Sequence, residues 1–156
     1  MSNPELAESM NTAMRTFMAH AVMFQDTVAR SVGVRSTDLQ CANLLVMHGP
    51  LSPGQLAELA GLTAGGGITD ALDRLEAAGM VTRSRDTSDR RKVIVAANSD
   101  ELWRRLGPIY AGVQQQWEAK LAAMDDDQLR FAIELFSTAT EINKAETERL
   151  RGAGGR

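Results

Sequence analysis

Apolar residues recur at three- and four-residue steps along most of this 156-residue chain, and the steps break at glycines and prolines. Leu6, Met10, Met14, Phe17, Ala21, Phe24 and Val28 predict a first helix that opens at Asn3-Pro4-Glu5, an N-cap followed by proline, and runs to about Ser31 before Gly33 ends it. A helix this long, with Phe17 and Phe24 on one stripe, needs a partner surface, either in the chain's own core or across a dimer seam. Thr37-x-x-Gln40 fits a capping box that starts a second helix through Leu39, Ala42, Leu45 and Val46, stopping near His48-Gly49-Pro50. Ser52-Pro53-Gly54-Gln55 is another such box and opens a short helix over 53–60, broken by Gly61. Leu62 is expected to pack inward and Thr63 to cap a fourth helix that reaches Ala78, where Gly79 stops it.

The period then changes. Residues 80–85 and 92–96 are short and β-branched or alternating, joined by Asp86-Thr87-Ser88-Asp89-Arg90-Arg91, and predict a hairpin with a charged tip. Asn98-x-x-Glu101 opens another helix through Leu102, Leu106, Ile109, Val113, Trp117, Leu121 and Met124, with a bend expected at Pro108. Asp125-x-x-Gln128 caps a final helix carrying Leu129, Ile133, Phe136, Ala139 and Leu150; the Asp125–Asp127 run favours the positive end of the helix dipole rather than a metal. The fold class is therefore mainly α with a small β-hairpin. Residues 36–96 form one lobe, 1–35 and 97–150 form a helical lobe, and 151–156 form a loose tail.

Composition narrows the function. Aromatic residues are only 4% of the chain, so its core is aliphatic, and no run reaches the roughly 18 apolar residues of a membrane helix. Lone Cys41 permits no internal disulfide and suits a reducing cytoplasm. With no second cysteine or basic neighbour to activate it, Cys41 reads as a buried, inert thiol. Its spacing from His20 and His48 matches no common zinc pattern. No nucleophile–base set, metal cluster or phosphate-cradling loop appears, which disfavours an enzyme, and nothing calls for a cofactor.

Net charge is −3, yet between Met80 and Val95 Arg83, Arg85, Arg90, Arg91 and Lys92 face only Asp86 and Asp89, a local charge of +3. Such a patch on an acidic protein can bind phosphate while the remainder limits unspecific sticking. It follows two helices joined by a Gly-containing turn, a helix-turn-helix. In the second of these, Ile68, Ala71, Leu72 and Leu75 share one face. The opposite face carries Thr63, Gly66, Asp70, Asp73, Arg74 and Ala77, with Thr69 at its edge. Each glycine of Gly65-Gly66-Gly67 costs a helix roughly 1 kcal/mol relative to alanine. They mark either a frayed first turn or a place where the backbone meets a partner closely, with N–H groups available to phosphate.

These residues resemble the MarR family of bacterial winged helix-turn-helix regulators. The run LTAGGGITDALDRLEAAGMVTR is similar to the family's recognition helix and following strand, and SRDTSDRRKVIV to its wing. The resemblance implies a homodimer built from the N- and C-terminal helices, acting as a ligand-responsive repressor on a pseudo-palindromic double-stranded DNA operator. The recognition helix, 63–78, enters the major groove and the wing, 86–92, reaches the minor groove. Candidate DNA contacts are Thr63, Gly65, Gly66, Gly67, Thr69, Asp70, Arg74, Arg83, Arg85, Asp89, Arg90, Arg91 and Lys92, and the resemblance gives three of them a role. Arg91 is the one that inserts, Asp89 holds its guanidinium, and Arg74 meets backbone phosphate, with Asp73 as a structural neighbour of Arg74. It further implies a pocket for a small aromatic or phenolic anion, for which Phe17, Met18, Met47, Tyr110 and Trp117 are the candidate liners. The sequence departs from the family in its acid-bearing recognition helix and in Ala97-Asn98 where Leu-Thr is usual. The first departure motivates an alternative, a winged-helix protein-interaction module that has lost DNA binding.

Overall fold

The computed structural model describes residues 2–62, 66–86 and 89–153. Its elements in order are α1 (Asn3–Ser31), α2 (Ser36–His48), α3 (Pro53–Ala60), α4 (Gly66–Ala77), β1 (Val81–Arg85), β2 (Val93–Ala97), α5 (Ser99–Ala122) and α6 (Asp126–Ala153). This is the mainly helical class with one hairpin that the apolar spacing predicts. The chain divides into two compact units, Met1–Ile109 and Tyr110–Arg156, with the boundary inside α5 just after Pro108. Helical geometry persists through Pro108 although proline offers no N–H to the preceding turn.

Several helix ends lie one to three residues from their expected places. Ser2, not Asn3, caps α1, with its N–H donating to Glu5 Oε2 at 2.7 Å. Arg35, not Thr37, caps α2, because the Asp38 carboxylate takes the Arg35 N–H at 3.0 Å and draws the helix start back to Ser36. The Ser52–Gln55 box forms in both directions. Leu62 is only half-buried, and the expected cap at Thr63 lies outside the described residues. Asp125 and Gln128 exchange hydrogen bonds at the start of α6. That helix extends to Ala153, so residues 151–153 are helical rather than part of a tail.

The first unit holds the core. Leu39, Cys41, Ala42 and Leu45 of α2 meet Leu56 and Ala57 of α3, Ile68, Ala71, Leu72 and Leu75 of α4, and Met80, Val81 and Val95 of the hairpin, all buried. Each fully buried leucine here contributes on the order of 2 kcal/mol. From α1 only Val28 and Ala29 join this core, and from α5 Leu102 and Leu106. Strands β1 and β2 pair antiparallel from Val81–Ala97 to Arg85–Val93, and Leu51 adds an isolated bridge to Val95 with N–O distances of 3.0 and 2.8 Å. Asn98 fastens the next connection: its N–H donates to the Met80 carbonyl and its Nδ2 to the Gly79 carbonyl, both at 2.9 Å. Gly79 sits at φ +72°, a left-handed turn that glycine adopts without strain, and this turn directs β1 away from α4. No described helix is long and apolar enough to cross a membrane.

Candidate nucleic-acid interface

Helix α4 buries one face and exposes the other. Ile68, Ala71, Leu72 and Leu75 are inside, while Gly66, Gly67, Thr69, Asp70, Asp73, Glu76 and Ala77 are exposed. Thr63 and Gly65 of the expected recognition surface lie outside the described residues. At Gly66 an added Cβ would meet nothing within 4 Å, so the chain's own packing does not require glycine there.

Two arginines expected at this surface are engaged within the protein. Arg74 grips Asp38 of α2 with a two-point fork, Nε to Oδ2 and Nη2 to Oδ1, each 2.8 Å. The Asp38 side chain is 0% exposed and that of Arg74 32%. Burial alone opposes ionisation of Asp38, but hydrogen bonds from Arg74 and from the Arg35 N–H outweigh it and hold the carboxyl below its ordinary 3.8. Asp73 is thus not the partner of Arg74. It pairs instead with Arg83 of β1, whose Nη1 lies 2.7 Å from Asp73 Oδ1 and 2.9 Å from Glu76 Oε2. The local charge of +3 counted along 80–95 is smaller in effect than it reads, because Arg83 neutralises carboxylates of α4.

The wing keeps its cations. Asp86 N–H donates to the Lys92 carbonyl at 3.0 Å, and Lys92 N–H to the Asp89 carbonyl at 2.8 Å, closing the loop. Asp89 Oδ1 then accepts from the Arg91 backbone N–H at 3.1 Å and from Arg91 Nε at 3.3 Å. The Arg91 side chain remains 93% exposed, so its guanidinium projects from the wing with one edge held. Arg90 and Lys92 are exposed as well, and Arg85 turns back to the Arg90 carbonyl at 3.4 Å. The structure therefore joins a glycine-fronted helix face to a cationic wing on one hydrophobic core.

A profile of the MarR family matches residues 39–93, which span α2 to the first residue of β2. This segment is similar to a MarR-family domain. It is 27% identical over 150 residues to the uncharacterized HTH-type transcriptional regulator YcgE of Bacillus subtilis strain 168, a match covering 96% of each chain. Among solved structures, RV1404 from Mycobacterium tuberculosis superposes with a TM-score of 0.65 at 18% identity, covering 90% of this chain and 94% of its own. A MarR transcriptional regulator from Methanosarcina mazei Go1 gives 0.60 at 19%, covering 88% and 98%. These likenesses show the winged-helix fold, and the match over residues 39–93 together with YcgE makes the chain similar to MarR-family HTH-type transcriptional regulators.

The residues named as candidate pocket liners fall in both units, Phe17, Met18 and Met47 in the first and Tyr110 and Trp117 in the second. Phe17, Met18 and Met47 are 50%, 46% and 76% exposed, and none lines the cleft of the first unit. That open cleft, about 770 Å³, lies between the C-terminal end of α1 (Phe24, Thr27, Val28, Ser31, with Val32 beyond it) and Arg104, Arg105 and Ile109 of α5. Trp117 belongs to a shallower depression of the second unit with Val113, Gln116 and Lys120; Tyr110, half-buried, lines neither. Cys41 is buried as expected; burial, with the charge of Asp38 adding, pushes its thiol up to about 11. The sequence did hold one unused signal. An acidic residue three places after Arg35, at the first turn of an apolar helix, marks Asp38 as a cap residue turned inward.

Proposed function

We propose that this protein is a homodimeric, ligand-responsive repressor of the cytoplasm that binds a pseudo-palindromic operator, α4 in the major groove and the 86–92 wing in the minor groove. The observation that carries the DNA reading is the wing: a fully projecting Arg91 held by Asp89, beside exposed Arg90 and Lys92. A narrow A·T-rich minor groove concentrates negative potential and rewards an arginine there most. The Arg83 clamp supports the same reading, since it offsets two carboxylates on a helix that has to approach phosphate. Purified protein is expected to select an inverted repeat from a random duplex pool, with half-site centres about 10 bp apart, and to show a log–log salt slope of several. Selection of no motif, with weak affinity for every duplex, would favour the protein-interaction module instead.

Dimerisation is supported by apolar surface left uncovered. Leu6, Met10, Met14, Phe17 and Met18 on α1 and Phe131, Ile133, Phe136, Ile142 and Leu150 on α6 are all more than a third exposed, and α6 has no buried residue. Uncovered apolar stripes of this length mark interaction surfaces. Residues 2–19 contribute nothing to the core, whereas Val28 and Ala29 do. Deleting residues 2–19 is therefore expected to leave a folded winged domain that is monomeric or insoluble by light scattering. A well-behaved dimer from that variant removes α1 from the interface.

Ligand response is assigned to the α1–α5 cleft of the first unit. Its apolar wall of Phe24, Val28, Val32 and Ile109 suits an aromatic ring, and Arg104 and Arg105, both paired with Glu101, suit its anionic group. An aromatic carboxylate such as benzoate is expected to raise the melting temperature of the wild type and not of Arg105→Ala; equal shifts in the two proteins would rule out this cleft.

A further inference from the structure

We propose that Asp70 is the residue of α4 that sets base preference, accepting a hydrogen bond from the N4 amino group of a cytosine in each half-site. This rests on the operator reading above. An acidic side chain on a DNA-facing helix is tolerable if a nearby arginine neutralises it or if the DNA offers it a donor. Among the described residues no arginine makes an ion pair with Asp70; Arg74 acts on it only through space while its fork is held by Asp38. Arg74 is committed to Asp38 through Nε and Nη2, and Arg83 to Asp73 and Glu76 through Nη1, with Nη2 3.5 Å from the Thr69 carbonyl. Of the acidic groups on α4, Asp73 and Glu76 are ion-paired and Asp70 alone has no ion pair among the described residues.

Position and reach agree with this role. Asp70 is exposed in the N-terminal half of α4, where recognition helices meet base edges. It follows Gly66 by four residues, so the two lie on one line of the helix surface. A short carboxylate reaches a base only if the backbone comes close, and Gly66 presents no Cβ to prevent it while internal packing gives no reason for glycine there. The base is selected by what surrounds each donor. Guanine shows the major groove two acceptors, thymine an acceptor beside a methyl group, and adenine a donor flanked by the N7 acceptor. A carboxylate is repelled by every one of those acceptors. Cytosine alone presents an amino donor with no acceptor on the same base, so Asp70 combines one attraction with rejection of the alternatives.

The test is selection from a random duplex pool by the full-length wild type, Asp70→Ala and Asp70→Asn in parallel, followed by titration of the winning duplexes. The wild type is expected to demand cytosine at one position per half-site, binding about 10-fold less tightly when that C·G pair is replaced. Asp70→Ala is expected to become indifferent there. Asp70→Asn is expected to admit adenine, because its amide donates to N7 while its oxygen still accepts. A wild-type motif that Asp70→Ala reproduces unchanged overturns the assignment alone. A wild type that selects no motif overturns the operator reading, and the assignment with it.

Discussion

Replacing Asp38 by alanine is expected to lower the stability of the first unit by about 3 kcal/mol. Removing one partner of a buried ion pair commonly costs about 3–5 kcal/mol, because the remaining charge stays desolvated. Here Arg74 retains partial solvent access, 32% of its side chain, which places the loss at the lower end of that range. The Arg35 N–H also loses its acceptor at the start of α2, a further contribution of about 1 kcal/mol at most helix N-termini. Chemical denaturation of wild type, Asp38→Ala, Arg74→Ala and the double variant measures this. The double variant should lose less than the sum of the singles, since neither group is then left unpaired. Additive losses would mean that the two side chains stabilise the fold independently.

The same pair predicts a direction with pH. The carboxyl of Asp38 is held below its ordinary 3.8 in the folded chain, so the folded state binds this proton less readily than the unfolded state. Its stabilisation is complete above 3.8 and is lost as pH falls through the lower, folded value. The stability advantage of wild type over Asp38→Asn should therefore be constant near neutrality and shrink only below pH 3.8. An advantage that shrank between pH 5 and 7 would assign the linkage to another group.

Arg91→Ala is expected to weaken operator binding on the order of 100-fold while leaving thermal stability unchanged. A groove-inserted arginine is worth roughly 1–3 kcal/mol, and a dimer loses two of them. The log–log salt slope should fall by about 2, one for each guanidinium. Stability is spared because Arg91 is 93% exposed and exposed ion pairs contribute little to folding. Asp89→Ala should give a smaller loss: the cation remains, but both hydrogen bonds that aim it, from the Arg91 N–H and Nε, are gone. Anisotropy titration of the selected duplex at fixed salt reads all of these. An unchanged affinity for Arg91→Ala would place the wing away from DNA.

What the sequence determined by itself was local. Helices, hairpin and wing follow from residue spacing, caps and turn glycines, because hydrogen bonds within a few residues and the side a residue faces depend on near neighbours in the chain. The helix-turn-helix and the hairpin were legible for that reason, whereas the Asp89–Arg91 contact, between partners two residues apart, was expected from the family resemblance. Tertiary structure decided the rest. It engaged Arg74 with Asp38, 36 residues away, and drew Arg83 onto Asp73 and Glu76 across the α4–β1 turn. It also placed a cleft of the first unit beside Arg104 and Arg105. Ion pairs of this kind are chosen by which charged ends meet once the apolar faces have packed, and a linear pattern carries the faces but not the meeting. Helix α4 illustrates both halves: its apolar stripe was readable at once, while the lack of a direct ion pair for Asp70 among the described residues appeared only when Arg74 and Arg83 had found their partners.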